Sequence, residues 1–157
     1  MIASKIQAPN IGKAGELRVR SELMFRGLTP AACDQDNGID IIICDNKKTI
    51  QVKTSLKAHY SKKDYSYRYS FSIRQSQFRS SRDGLYERVH TRKNYSGIDY
   101  FVFFCVEHDI FYIVPEKEIG EKVSFCIATP DKERKYNYYK EPVSKYEKYK
   151  NNWDLLK

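Results

Sequence analysis

The stretch 38–55, GIDIIICDNKKTIQVKTS, constrains this chain most, because it sets one carboxylate, Asp40, inside an otherwise apolar run. A charge among Ile39, Ile41, Ile42 and Ile43 is costly to bury, so it needs a partner or a role. The runs 39–44 and 49–54 are rich in β-branched residues and flank Asp45-Asn46-Lys47-Lys48. That pattern predicts a hairpin with Asn46 and Lys47 in its turn. In this register Asp40 faces Lys53 directly and Gln51 lies diagonally across. Side chains alternate with period two, so all three share one face. Opposed side chains sit about 5 Å apart and diagonal ones about 7–8 Å. A slip of one residue would separate them.

The rest of the chain supplies a frame for that hairpin. Residues 1–10 read as an irregular lead-in with Asn10 as a helix cap, followed by a helix over 11–26 that Gly27 stops. On this helix Glu16 shares a face with Val19 and Leu23, whereas Glu22 sits four residues from both Arg18 and Arg26, a surface ion-pair ladder. Residues 28–37 predict a short strand or extended loop, and 56–64 a polar connection. Tyr65, Tyr67, Tyr69, Phe71 and Ile73 alternate with serine and arginine, the pattern of a half-buried strand. Segment 74–96 is polar, and a short helix near 75–81 followed by a basic loop is expected. The runs 98–106 and 110–114 predict a central hairpin buried on both faces. A helical turn over 116–119, a strand over 123–128 and a C-terminal helix over 145–156, anchored by Trp153, Leu155 and Leu156, complete the order. The fold class is therefore α/β or α+β, a central mixed β-sheet flanked by helices. All 157 residues are expected in one domain, with a basic insertion at 74–96 and a helical tail at about 140–157.

Charge narrows the partner. The formal net charge is +8, and residues 57–93 carry ten Lys or Arg against Asp64, Asp83 and Glu87. A basic middle beside the hairpin suggests a polyanion, whose counterions are released on binding. No run has the length of a signal peptide or a membrane span, so a cytoplasmic location with no membrane partner is expected. Cys33, Cys44, Cys105 and Cys126 are scattered without CxxC spacing, which predicts reduced, buried thiols. His59, His90 and His108 lack the spacing of a zinc site. Asp99 repeats the Gly-Ile-Asp context of Asp40, but no Gln-x-Lys strand follows it, so it reads as a strand-start residue.

Gly15-Glu16 on a helix, Gly38-Ile39-Asp40, and a strand carrying Gln51-Val52-Lys53 together resemble the PD-(D/E)xK nuclease superfamily. That group includes restriction endonucleases, Holliday-junction resolvases and a small class of intron homing endonucleases. The resemblance covers roughly residues 12–55 and implies a restriction-endonuclease-like core. It assigns Asp40 as metal-binding aspartate, Lys53 as the lysine that orients or activates the attacking water, and Glu16 as a further acidic ligand. Gln51 stands where the family pattern has a second carboxylate. Its carbonyl oxygen can still ligate Mg²⁺ or hold water.

Phosphodiester hydrolysis accounts for the same residue types. A divalent cation, Mg²⁺ or Mn²⁺, stabilises the developing phosphate charge, and hard oxygens hold it. The expectation is a metal-dependent endonuclease of homing or restriction type, with duplex or branched DNA as partner. Candidate DNA contacts are Ser55, Lys57, Lys62, Lys63, Arg68, Arg74, Arg79, Arg82, Arg88, Arg92 and Lys93. One site cuts one strand, so a homodimer or higher homo-oligomer is expected. The alternatives are a non-catalytic nucleic-acid-binding module on the same fold, a junction resolvase and an RNA-cleaving toxin.

Overall fold

The computed structural model describes residues 7–33, 38–61, 66–80, 86–92, 97–128 and 146–157. Helix α1 (Ala8–Phe25) carries Pro9 in its first turn. Proline is preorganised there and loses no hydrogen bond, so it marks a helix start. The helix therefore begins earlier than the expected 11, Asn10 lies inside it, and the N-cap is Gln7 with no side-chain cap bond. Its C-terminus closes as expected. Gly27 has φ 79°, its N–H donates to the Met24 carbonyl, and the Leu28 N–H donates to the Leu23 carbonyl. Only glycine takes that left-handed position readily. Glu22 bonds both Arg18 (2.9 Å) and Arg26 (2.7 Å), as its spacing predicts.

The strands are β1 (Pro30–Ala32), β2 (Ile41–Ile43), β3 (Thr49–Ser55), β4 (His59–Ser61), β5 (Ser66–Ser72), β6 (Arg74–Ser80), β7 (Tyr86–Arg92), β8 (Tyr100–Cys105), β9 (Ile110–Pro115) and β10 (Ser124–Ala128), with the short helix α2 (Glu116–Ile119) after β9. A five-stranded sheet has the order β1-β2-β3-β8-β9, a second sheet is β10-β5-β4, and β6 and β7 form a separate ribbon. In the large sheet β3 and β8 run parallel and every other pair is antiparallel, so the sheet is mixed. The fold class is α+β, as the element order predicts.

Alternation along β8 explains the layering. Val102 and Phe104 join Val19 and Leu23 of α1, with Ile41, Ile50 and Val52, on one face. Phe101 and Phe103 join Tyr69, Phe71, Phe125 and Ile127 of the second sheet on the other. Phe103 stacks on Phe125 with ring centroids 4.1 Å apart. The near-continuous apolar run of β8 thus reflects burial on both faces.

Several expectations change. The β8–β9 hairpin is buried but not central, because β9 is an edge strand. Its outer edge is covered by a bridge between Tyr112 and Lys150 and by Asn151, whose backbone N–H donates to the Phe111 carbonyl while its Oδ1 accepts the Phe111 N–H. Such cover blunts an exposed edge. The tail over 146–157 forms two 3-10 turns, Glu147–Tyr149 and Trp153–Leu156, in place of an α-helix, with Trp153 and Leu156 buried as anchors. Residues 140–145 lie outside the described residues. The 56–64 connection contains β4, paired with β5. The short helix near 75–81 is strand β6, part of the expected basic loop is strand β7, and the two pair over their whole length; residues 81–85 and 93–96 lie outside the described residues.

Among the cysteines Cys105 is buried and Cys33 half-buried, whereas Cys44 and Cys126 are exposed, which corrects the expectation of four buried thiols. Burial pushes the Cys105 thiol up to about 12. Asp99 is a strand-start residue: its Oδ2 accepts the Thr49 N–H at 2.8 Å, tying the starts of β3 and β8 together. Among the described residues no helix is long and apolar enough to cross a membrane.

Candidate functional site

The β2–β3 turn sets the geometry of the site. It is a longer loop than the expected two-residue turn: Lys47, with φ 61°, donates its N–H to the Ile43 carbonyl, and Ile43 donates its own to the Lys48 carbonyl. Asn46 Oδ1 accepts the Lys48 N–H, the local side-chain bond that makes asparagine a turn residue. Ile41 therefore pairs with Ile50 and Ile42 with Thr49. This register differs from the expected one by two residues. An even shift preserves the face on which each side chain stands, so Gln51, and not Lys53, becomes the immediate partner of Asp40.

Asp40 lies just before β2, with its N–H donating to the Ile50 carbonyl at 2.9 Å. Its Oδ2 accepts the Val52 N–H at 2.7 Å and the Gln51 Nε2–H at 2.9 Å. Both bonds fall on Oδ2, which leaves Oδ1 for a further partner. Burial raises the Asp40 pKa above the ordinary aspartate value; the nearby Glu16 charge adds to the rise, and the Val52 N–H, Lys53 and Gln51 oppose it.

The sign of the pH dependence follows from that rise. The folded protein holds the Asp40 proton more tightly than the unfolded chain, so this group's stabilisation is full below the unfolded value near 3.8 and is lost as pH rises through the folded value. Asp40→Asn keeps an acceptor for Val52 and removes the buried charge. It is expected to raise the metal-free melting temperature at pH 8 and to raise it less at pH 4. Thermal melts at the two pH values check this, and an equal change at both would mean that burial of the charge is not what costs stability.

Helix α1 reaches the site through a close contact. Gly15 packs so tightly on Thr54 that an added Cβ would lie 1.8 Å from Thr54 Oγ1. That contact brings the neighbouring Glu16 over β3. Its side chain is 24% exposed and pairs with Lys13 at 2.9 Å. Glu16, Asp40, Gln51 and Lys53 line one cleft of about 800 Å³, together with Ser55 and Lys57. The four residues singled out from the sequence are thus brought together, although through a different strand register.

The cleft wall at Leu56 and Lys57 has a support that the sequence did not reveal. Glu107, in the turn between β8 and β9, donates its N–H to the Leu56 carbonyl and accepts the Ala58 N–H on Oε2, each at 3.2 Å. These bonds bracket the exposed Lys57. His59 on β4 and the first turn of α1, at Ala8, Ile11 and Gly12, also line the cleft. Proline at position 9 was the available signal that a helix start lay there.

Of the remaining candidate contacts, Arg68 stands on β5 opposite His59. Arg74 and Arg79 belong to β6, and Arg88 and Arg92 to β7. Lys62, Lys63, Arg82 and Lys93 lie outside the described residues.

The donor set can be tested for a metal. Gln51 is 6% exposed, and its Oε1 is buried with no hydrogen-bond partner. A buried acceptor left unsatisfied costs about 1–3 kcal/mol, which a cation or ordered water would offset. A hard cation accepts such a carbonyl oxygen beside carboxylates. The residues present therefore fit a divalent cation, with Asp40 and Gln51 as its core and Glu16 at the rim. Among the described residues no three of His, Cys, Asp and Glu gather closely enough to hold a metal unaided.

No protein-family model matches the chain, and no curated protein matches it by sequence. A solved structure of a bacterial homing endonuclease, I-Ssp6803I, is similar with a TM-score of 0.65 and 18% sequence identity, over 96% of this chain and 93% of that one. The likeness runs nearly end to end in both chains, and the α+β architecture described above is therefore a fold shared with a homing endonuclease.

Proposed function

We propose that the chain is a divalent-metal-dependent DNA endonuclease of the PD-(D/E)xK type, acting on specific sites in the manner of homing or restriction enzymes. The observation that carries this reading is the orphaned Gln51 Oε1 beside the Asp40 carboxylate, in a cleft that Glu16 and Lys53 also line. The likeness in fold to I-Ssp6803I supports it.

Asp40, Gln51 and Glu16 would hold Mg²⁺ or Mn²⁺ through oxygen. When bound there, the cation supplies Lewis-acid stabilisation of phosphate charge and lowers the pKa of water. The Val52 N–H fixes the Asp40 carboxylate, so its orientation does not depend on the ligand. Lys53, two residues beyond Gln51 on the same strand face, adds positive charge at the scissile phosphate and orients the water that attacks in line with the leaving oxygen. Ser55 and Lys57, which line the same cleft, would bind the adjoining phosphate. One such site cuts one strand, and a symmetric homodimer or higher assembly in the cytoplasm supplies the second cut.

A second reading has one observation in its favour. With glutamine in place of a carboxylate the site carries less negative charge, and an inert nucleic-acid-binding module would tolerate that. Metal binding separates the two. Calorimetric titration with Mn²⁺ is expected to show binding to the wild type, binding weakened roughly 10–100-fold in Gln51→Ala, and none in Asp40→Ala. Wild type and Asp40→Ala behaving alike would select the inert module. Plasmid, junction and RNA substrates offered side by side with Mg²⁺ then assign the substrate, and cleavage of RNA alone would overturn the DNA reading.

A further inference from the structure

The β6–β7 ribbon stands apart from both sheets: among the described residues it hydrogen-bonds into neither. Its register is complete, from Arg74 opposite Arg92 to Ser80 opposite Tyr86. Period-two alternation then sorts its residues onto two faces of different chemistry. By register, one face has the positions of Arg74, Ser76, Phe78 and Ser80 opposite Arg92, His90, Arg88 and Tyr86, three arginines with two aromatics and no acid. Arg74 and Arg92 are register partners where the two strands begin and end. The other face carries Gln75, Gln77 and Arg79 along one strand, opposite Thr91, Val89 and Glu87.

That second face has the residue types that discriminate base pairs. Glutamine pairs with adenine, arginine with guanine, glutamate with the cytosine amino group, and threonine packs on the thymine methyl. Alternate residues on a strand recur about every 6.6–6.8 Å. Two base-pair steps of a DNA strand span about 6.8 Å. The seven residues of each strand reach roughly 23 Å. A two-stranded ribbon fits the major groove of B-DNA, about 12 Å wide.

The ribbon is also rooted where such reading would matter. Ile73, the single residue between β5 and β6, is fully buried and donates its N–H to the Val123 carbonyl. Ile98, which precedes β8, is buried in the same cluster, and Ile39, the neighbour of Asp40, packs against that cluster. Ile73 thereby ties the start of β6 to the cluster against which Ile39 packs.

We propose that the β6–β7 ribbon enters the major groove of duplex DNA, with the Gln75-Gln77-Arg79 face reading base edges and the Arg74-Arg88-Arg92 face neutralising phosphates. This rests on the DNA endonuclease reading above, and it names the element that gives that enzyme its sequence preference.

The test uses the full chain carrying Lys53→Ala, so that binding is read without cutting. A random-sequence DNA duplex pool is selected for binding, and the enriched sequence is compared with that from the same protein carrying Gln75→Ala, Gln77→Ala and Arg79→Ala. The expected result is loss of preference at a run of adjacent base pairs, with the salt dependence of binding unchanged. Arg74→Ala, Arg88→Ala and Arg92→Ala together should weaken binding to all sequences alike and reduce the salt slope by about one per residue. Arg79→Lys, which preserves charge and strand, should by itself relax one position if the triple variant does not fold. Duplex RNA, whose deep and narrow major groove a ribbon cannot enter, should bind more weakly than DNA.

An enriched sequence that survives both the triple variant and Arg79→Lys overturns the proposal, and so does duplex RNA binding as tightly as DNA. Cleavage by the wild type is scored separately. Selective binding without cleavage would remove the catalytic reading and leave the ribbon's role intact, whereas cleavage with an unaltered sequence preference would do the reverse.

Discussion

Lys53→Ala is expected to slow single-turnover cleavage of duplex DNA in Mg²⁺ by roughly 10²–10³-fold, the cost of removing one preorganised charged donor from a hydrolytic site. The effect should fall on the chemical step. Lys53 shares a strand face with Gln51 and lines the same cleft, yet it is not the residue that fixes Asp40; the Val52 N–H and the Gln51 amide do that. Metal-free DNA binding should therefore change only a few-fold. Asp40→Ala is the stronger but less interpretable change. It removes a ligand and also leaves the Val52 N–H and the Gln51 amide without an acceptor, at about 1–3 kcal/mol for each buried group. Lys53→Arg is informative for the opposite reason, since it keeps the charge but replaces a compact ammonium by a planar fork. A Lys53→Ala protein that cuts within threefold of wild type would show that the lysine has no part in the reaction.

The site was legible in the sequence because chemistry and parity are local properties. Asp40 amid isoleucines is conspicuous wherever the hairpin turns, and an error of two residues in register leaves Asp40, Gln51 and Lys53 on one side. What a sequence cannot fix is which neighbour is closest, and that depended on whether Asn46 closed a two-residue turn or a longer loop. The ribbon was missed for a related reason. Amphipathic alternation marks strands that join a core, and β6 and β7 join neither sheet, so RQSQFRS shows no apolar period to read. Conversely β8 and β9 were evident because both of their faces are buried. The position of β9 at the sheet edge was not evident, since an apolar run looks the same wherever its neighbours come from. The C-terminal segment kept its anchors, Trp153 and Leu156, while losing its expected helix: hydrophobic contact fixed those side chains, and too few turns are present for helix cooperativity to fix the backbone.

The placement of Glu16 depends on a feature that can be broken by one methyl group. A Cβ at Gly15 would stand 1.8 Å from Thr54 Oγ1, 2.9 Å from Thr54 Cβ and 3.1 Å from Cγ2. Rotating Thr54 only exchanges one of these clashes for another, and its Cβ is fixed by the strand. The helix must therefore lift from β3. Alanine is the better helix former by about 0.5–1 kcal/mol, but overpacking of this kind costs about 1–3 kcal/mol. The net change in Gly15→Ala is expected to be destabilising, and cleavage should fall further than stability does, because Glu16 moves with the helix while Asp40 stays with the sheet.

Thr54→Ala isolates the contact. Its hydroxyl is buried without a hydrogen-bond partner, so removing it alone should cost little. Combined with Gly15→Ala it should recover part of the lost stability and activity, the remaining 2.9 Å approach to Cβ preventing full recovery. Denaturant midpoints of the four proteins give the coupling between the two positions directly. If Gly15→Ala is as stable as wild type, or if Thr54→Ala restores nothing, the close approach of α1 to β3 is not what holds Glu16 at the cleft.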